Sequence, residues 1–268
     1  MVHSMLAKLR QAVKDTLPPK ALHAYRVVRH TMLWPTEAEM VAARQFLSPH
    51  EAAVDVGANF GLFTSVLARR AKTVIAFEPN SACARYLAQA LPRNCEVIAK
   101  AVSDKASTAA LRVPVSGGVA MHALATIEDA NRFDTEIRAT EFVAHEVETV
   151  TLDQVLLGPG RSGSRVGFVN IDAEGHELAV LKGGERLLAA HRPVLLVELE
   201  YRHGASVLET FDWLAARGYA ARALLDGPAL AAIDPAALWD LQNEMRLARR
   251  LAGKRHSGYV NNIFFLPT

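Results

Sequence analysis

The hydrophobic pattern changes character once along the chain. Near the start, Met5, Leu6, Leu9, Val13 and Leu17 recur at helical spacing, with Lys8, Arg10 and Lys14 mostly off that stripe, until Pro18-Pro19 stops it. A second helix is predicted over 36–47, with Thr36 as its N-cap and Glu37 and Glu39 in its first turn. From Ala52 onward, short β-branched or apolar runs alternate with helical stretches: AAVDVG, GLFTSVLARRA, TVIAFEP, SACARYLAQAL and CEVIAKAV. Further on, VGFVNIDAEG precedes ELAVLKGGERLLAA, and PVLLVELE precedes VLETFDWLAARGY. This alternation predicts βαβ units around a parallel sheet buried on both faces. Runs around 220–225 and in YVNNIFFLP read as strands closing one edge, and 226–257 as a turn followed by an Ala/Leu/Arg-rich helix. The stretch 113–150 is less regular, and an insertion at that place is expected to form a wall over a ligand site. The reading is a helical extension over 1–48 and one α/β domain over 49–268.

Charge narrows the partners. Thirty basic against twenty-eight acidic side chains leave a formal charge of +2, without the clustered excess that nucleic acid binding requires. Cys83 and Cys95 form neither a disulfide framework nor a metal-ligand spacing, which favours a reduced, cytoplasmic setting. No apolar run approaches the roughly 20 residues that span a bilayer, and the first residues lack a signal-peptide core. The basic amphipathic stripe of 5–17 lies on the domain or attaches peripherally to the anionic inner face of a membrane.

The chemistry begins at the first strand, 53–56, and the turn Gly57-Ala58-Asn59-Phe60-Gly61 that follows it. In open parallel sheets, ligands collect beyond the carboxyl ends of the strands. The turn lacks the middle glycine of a dinucleotide fingerprint and the Gly-Lys-Ser/Thr of a phosphate loop. Asp55 beside it repels phosphate and attracts a cationic or amino group, and Glu78, ending the second strand, suits the two hydroxyls of a ribose. The pair points to a nucleoside with a cationic, amino-acid-like tail, a description that S-adenosylmethionine fits. A tight turn with a helix-capping acid in another α/β enzyme is the bland alternative.

These residues resemble the cofactor motifs of class I methyltransferases, and more of the chain is similar to the FkbM methyltransferase family. VDVGANFGLFT and FEPN look like its cofactor motifs; VETVTLDQVL, VGFVNIDAEGHELAVLKGGERLL, RPVLLVELE and NNIFFLP resemble its later blocks in the same order. The chain departs from the family pattern at Asn170, often a lysine, and at Ala173, often a valine. The resemblance implies a Rossmann-like class I methyltransferase fold, a mostly parallel seven-stranded sheet flanked by helices. It implies Asp55, Gly57, Asn59 and Gly61 around the methionine portion of the cofactor, Glu78 on the ribose, Asn80 nearby, and Ser103 or Asp104 at the adenine edge.

Asp172, Glu174 and His176 follow the fourth strand, where an acceptor meets the sulfonium methyl, and are the expected catalytic groups. Methyl transfer to oxygen needs an in-line approach and a base, for which His176 and Asp172 are suited. Glu174 and the following Glu177 also sit where a helix begins and a carboxylate is favoured. Glu198 and Glu200 face one side of the next strand and are expected to line the acceptor pocket. Asp172, His176 and Glu198 are a candidate divalent-metal set. The resulting expectation is O-methylation of a sugar, glycan precursor or polyketide-like small molecule. The rivals are an N-methyltransferase acting on RNA or protein, and a cofactor-binding module without catalysis. A nucleobase enzyme often carries Asn/Asp-Pro-Pro-Tyr/Phe where this chain has Asp172-Ala173-Glu174-Gly175.

Overall fold

The computed structural model of the chain describes residues 18–28, 38–116, 119–128, 141–159, 164–203, 207–225, 227, 229–243, 246 and 258–268. The predicted helix over 5–17 and the Thr36 cap lie outside them. The described extension begins with α1 (Pro19–Val28), so Pro18-Pro19 starts a helix as well as ending a stripe. Proline's fixed φ suits a first turn, where its missing N–H costs nothing. α2 (Ala38–Ala42) follows and tightens into a single turn over Ala43–Phe46.

The large sheet holds β1 (Ala52–Val56), β2 (Thr73–Phe77) and β3 (Cys95–Ile98). It continues with β8 (Val166–Ile171), β9 (Val194–Glu198), β10 (Tyr219–Leu224), β11 (Leu230–Ala232) and β12 (Asn262–Pro267). Their order is β11-β10-β12-β9-β8-β1-β2-β3. β9, β8, β1, β2 and β3 run parallel, and β12 is inserted antiparallel between β10 and β9. Strand order reverses between β1 and β8, the switch point at which α/β sheets collect ligands. Val54, Phe168, Val169, Leu195, Leu196 and Ile263 are fully buried, because helices cover both faces. The expectation of seven strands is exceeded by one: Leu230–Ala232 pairs antiparallel with β10 at the edge. Three residues are too few to show a period of two, and the sequence there reads as the approach to a helix.

The connections carry α3 (Leu62–Ala68), α4 (Ser81–Ala90), α5 (Leu152–Leu156), α6 (Glu177–Lys182), α7 (Glu185–His191), α8 (Val207–Ala215) and α9 (Pro235–Leu241). Between β3 and α5 stands a second sheet of β4 (Ala101–Val102), β5 (Ser107–Ser116), β6 (Val119–Ala120) and β7 (Glu141–Val150), in the order β4-β7-β5-β6. The stretch expected to be irregular therefore contains a long antiparallel pair, from Ser107 opposite Thr149 to Val115 opposite Glu141. Most of β7 is exposed, so it shows no apolar alternation, whereas Leu111 and Val113 of β5 face inward.

A candidate active site at the strand ends

The floor of the site is the turn after β1. Gly57 takes φ +81, and a Cβ there would lie 1.8 Å from the carbonyl oxygen of Asp172, so only glycine lets β1 and β8 approach this closely. The N–H groups of Gly57 and Ala58 both donate to the Phe77 carbonyl at 3.0 Å, tying the turn to the end of β2. Asn59 has φ +49, and its N–H donates to Glu78 Oε2 at 2.7 Å. Glu78 Oε1 accepts the Asn80 N–H at 2.8 Å. Burial pushes Glu78 up to about 7 despite these two donors.

Gly57, Asn59 and Glu78 line one cavity together with Asp172, Glu174 and His176. Asn59 Oδ1 is buried without a hydrogen-bond partner, the kind of atom a ligand ammonium satisfies. Glu78 keeps a second lone pair on each oxygen. The cavity thus offers an acceptor for an amino group at one point and a carboxylate for hydroxyls at another, and S-adenosylmethionine fits this donor and acceptor set. Leu111, His122, Thr126 and Ile127 of the second sheet and its loops form the expected wall, although no motif marked them in the sequence.

Other expected cofactor residues support the site from behind. Asp55 is 1% exposed and does not line the cavity; it accepts from Thr64 Oγ1 at 2.5 Å and from Asn170 Nδ2 at 2.9 Å. Its carboxylate faces α3 and β8, not a cationic tail. Gly61, at φ +74, is the N-cap of α3, and a Cβ would strike Leu87 Cδ2 at 2.6 Å. Asn80 caps α4 by accepting from Ala82 and Cys83 N–H groups, and its amide donates to His122 Nδ1 at 2.8 Å. Ser103 is buried with its hydroxyl on His176, while Asp104 is exposed and 3.2 Å from the same hydroxyl. Neither lines the cavity.

The segment after β8 is a strained turn. Asp172 N–H donates to the Val56 carbonyl at 3.0 Å, and then Glu174 and Gly175 take φ +50 and +102. The Glu177 carboxylate bridges that turn, accepting from Ala173 N–H at 3.2 Å and Gly175 N–H at 2.8 Å. Burial pushes Glu177 up to about 7. Glu174 is raised well above the carboxylate range by burial and by Asp172, and its Oε2 lies 3.2 Å from His203 Nε2. His203 is lowered to about 4 by burial and the Arg202 charge.

Glu198 and Glu200 do share a side, but they turn to Asn261, whose amide donates to both carboxylates, and do not line the cavity. Glu200 also accepts from Tyr259 at 3.0 Å and pairs with Arg202. Burial alone would raise its pKa, but the Arg202 hydrogen bond and charge outweigh this and bring it to about 2. The candidate metal set does not assemble: among the described residues no group of three or more His, Cys, Asp or Glu is placed to hold an ion. His176 engages Ser103 and Glu128, and Glu198 engages Asn261.

Comparison with known proteins agrees with this geometry. Residues 55–221 match the methyltransferase FkbM domain. None of the curated proteins compared with the chain matches it. Among solved structures, a methyltransferase FkbM from Methylobacillus flagellatus KT matches at 16% identity and TM-score 0.48, over 95% of this chain and 57% of that one. The chain thus spans just over half the length of that protein. An O-methyltransferase from Bacillus cereus, solved with S-adenosylhomocysteine, matches at 15% identity and TM-score 0.41, covering 81% of this chain and 91% of that one. An rRNA methylase from Streptococcus thermophilus matches at 15% identity and TM-score 0.39, covering 74% of this chain and 90% of that one. No described helix is long and apolar enough to cross a membrane. With its switch-point cavity and a domain match over most of its length, the chain belongs to the FkbM family of S-adenosylmethionine-dependent methyltransferases.

Proposed function

We propose that the chain methylates a hydroxyl of a sugar, glycan precursor or polyketide-like small molecule. The observation that carries this reading is that Asp172 and His176 line the same cavity as Asn59 and Glu78, on a short Ala-Glu-Gly turn without the Pro-Pro segment that holds a flat nucleobase. Asn59 Oδ1 accepts the ammonium of the cofactor's amino acid, Glu78 accepts from its ribose, and the main chain at Gly57 admits the tail. Bound there, S-adenosylmethionine supplies an electrophilic methyl. His176 or Asp172 takes the acceptor's proton, and the wall around Thr126 and Ile127 excludes water and sets the line of approach. The basic stripe of 5–17 suits acceptors at the inner face of a membrane.

Isothermal titration with S-adenosylhomocysteine tests the cofactor site, and methyl-labelled cofactor with separated glycan, lipid, RNA and protein fractions tests the acceptor. Label in glycan, lipid or small metabolites supports the proposal. Label in RNA or protein, or binding without transfer to any fraction, replaces it with one of the rivals.

A further inference from the structure

His176 is held at both ring nitrogens by residues from separate segments. Nδ1 lies 3.0 Å from Glu128 Oε2, and Nε2 lies 2.9 Å from Ser103 Oγ. A carboxylate only accepts, so Nδ1 carries the ring proton and Nε2 is left with its lone pair. Glu128 does not float at the end of the wall. Its N–H donates to Thr126 Oγ1 at 2.9 Å, and that hydroxyl donates to the Glu174 carbonyl at 2.9 Å, in the same turn that presents His176. Arg112 holds the Glu128 carbonyl from β5. The wall and the turn are therefore fastened together at the imidazole.

We propose that Glu128 is a positioning residue for methyl transfer, fixing the tautomer and aim of His176 so that Nε2 is the basic nitrogen, with Ser103 and Asp104 as the proton's way out. This rests on the methyltransferase reading above. The order Ser103, His176, Glu128 is also that of a hydrolytic triad, but Ser103 is only 6% exposed and its N–H donates to the Val150 carbonyl at 2.9 Å. A buried nucleophile with its own amide engaged is not poised for acyl chemistry.

The Ser103 hydroxyl has one proton and two acceptors in reach, Nε2 at 2.9 Å and Asp104 Oδ1 at 3.2 Å. When the Ser103 side chain rotates so that its hydroxyl leaves Nε2 and turns to Asp104, the single in-plane lone pair of Nε2 is open to an acceptor hydroxyl in the cavity that His176 lines, and the hydroxyl returns to Nε2 after the transfer. The acceptor's O–H bond breaks toward Nε2 as the O–CH₃ bond forms and the S–CH₃ bond breaks. The products are a methyl ether, a neutral thioether and an imidazolium facing the Glu128 carboxylate. The Nε2 proton then passes to Ser103 Oγ while the Ser103 proton passes to Asp104, which is exposed to solvent.

Nitrogen-15 NMR of histidine-labelled protein, with His176→Gln for assignment, reads the tautomer without any acceptor. The wild type is expected to show His176 protonated at Nδ1, Glu128→Gln to keep that state because its amide oxygen still accepts, and Glu128→Ala to lose it. With a methyl acceptor in hand, Glu128→Ala is expected to lower kcat about a hundredfold at unchanged KM for the cofactor, with Glu128→Gln recovering most of it. S-adenosylhomocysteine binding and melting curves confirm that the variants fold. A wild-type Nε2–H tautomer, or Glu128→Ala with wild-type spectrum and kcat, overturns the proposal. A correct tautomer response with no methyl transfer to any acceptor overturns the reaction assigned to the site while leaving the positioning of His176 intact.

Discussion

Asn170 of β8 donates its side-chain amide to the Asp55 carboxylate of β1 at 2.9 Å, directly across the strand pair at the switch point. Asp55 is held above the ordinary carboxylate range by burial, and the Thr64 and Asn170 bonds pull it back. Replacing Asn170 by leucine is expected to cost about 1–3 kcal/mol by leaving a buried acceptor short of a donor. Losing the donor raises the folded-state pKa further. A raised carboxylate loses stability as pH climbs from the unfolded value of about 3.9 toward the folded one. Urea unfolding at pH 5 and pH 8 should thus show a larger deficit at pH 8. Equal stability to the wild type at both would remove Asn170 from the support of the site.

Glu78 gives the cofactor site its own pH dependence. Its pKa of about 7 means that it is mostly protonated at pH 5.5. Ribose hydroxyls favour the ionised form, so S-adenosylhomocysteine affinity should rise up to about 30-fold between pH 5.5 and 8 and level off above 7. Titration calorimetry across that range checks it. Glu78→Gln should bind more weakly with a flat profile, and a flat wild-type profile would disconnect Glu78 from the ligand.

Glu177 needs to be an acceptor but not a charge. One oxygen, Oε1, takes both the Ala173 and Gly175 N–H groups, and a glutamine oxygen does the same. The wild-type carboxylate, raised to about 7, loses stability as pH rises from its unfolded value of about 4.3 to 7. Glu177→Gln should match the wild type near pH 4 and exceed it at pH 8 by something on the order of 1–3 kcal/mol. Glu177→Ala should fall below both. Thermal melts of the three proteins at the two pH values decide this, and a glutamine variant weaker than wild type at pH 8 would show that the charge itself is needed.

The Glu200–Arg202 pair has the opposite sign. Glu200 is lowered to about 2, so its stabilisation is complete above its unfolded pKa of about 4.3 and lost as pH falls toward 2. Arg202→Met leaves a carboxylate only 4% exposed with Tyr259 and Asn261 but without a cation, at a cost of about 3–5 kcal/mol. Chemical denaturation at pH 7 measures it. A loss below 1 kcal/mol would mean that the neutral donors alone hold Glu200.

Much of the fold was legible because the parallel strands are continuous apolar runs separated by helices, and the turn at Gly57 was legible because strand, glycine turn and helix follow one another within a short stretch. Asp55 was misplaced for a physical reason. β1 is buried on every side, so no alternation tells which way the carboxylate points, and its partners Thr64 and Asn170 come from a helix and a strand 9 and 115 residues on. The same holds for Glu198 and Glu200, whose shared side was predicted correctly but whose partner Asn261 is more than 60 residues away. Ser103 was read as an adenine contact because nothing local announces an imidazole 73 residues downstream. The wall was expected from its place in the chain, but its residues were not legible, since β7 is charged and exposed and His122, Thr126 and Ile127 lie between β6 and β7 without a motif.

Between Ile98 and Ala101 the chain leaves one sheet and enters the other, and Lys100 at that step lines the cavity. The two boundaries of the reaction chamber therefore belong to independent hydrogen-bond ladders. Changes of length or composition along β5 and β7 can reshape what enters the chamber without shifting a single register in β1, β2 or β8. The floor that carries Gly57 and Glu78 and the wall that carries Leu111 and Thr126 thus answer to different ladders of backbone bonds.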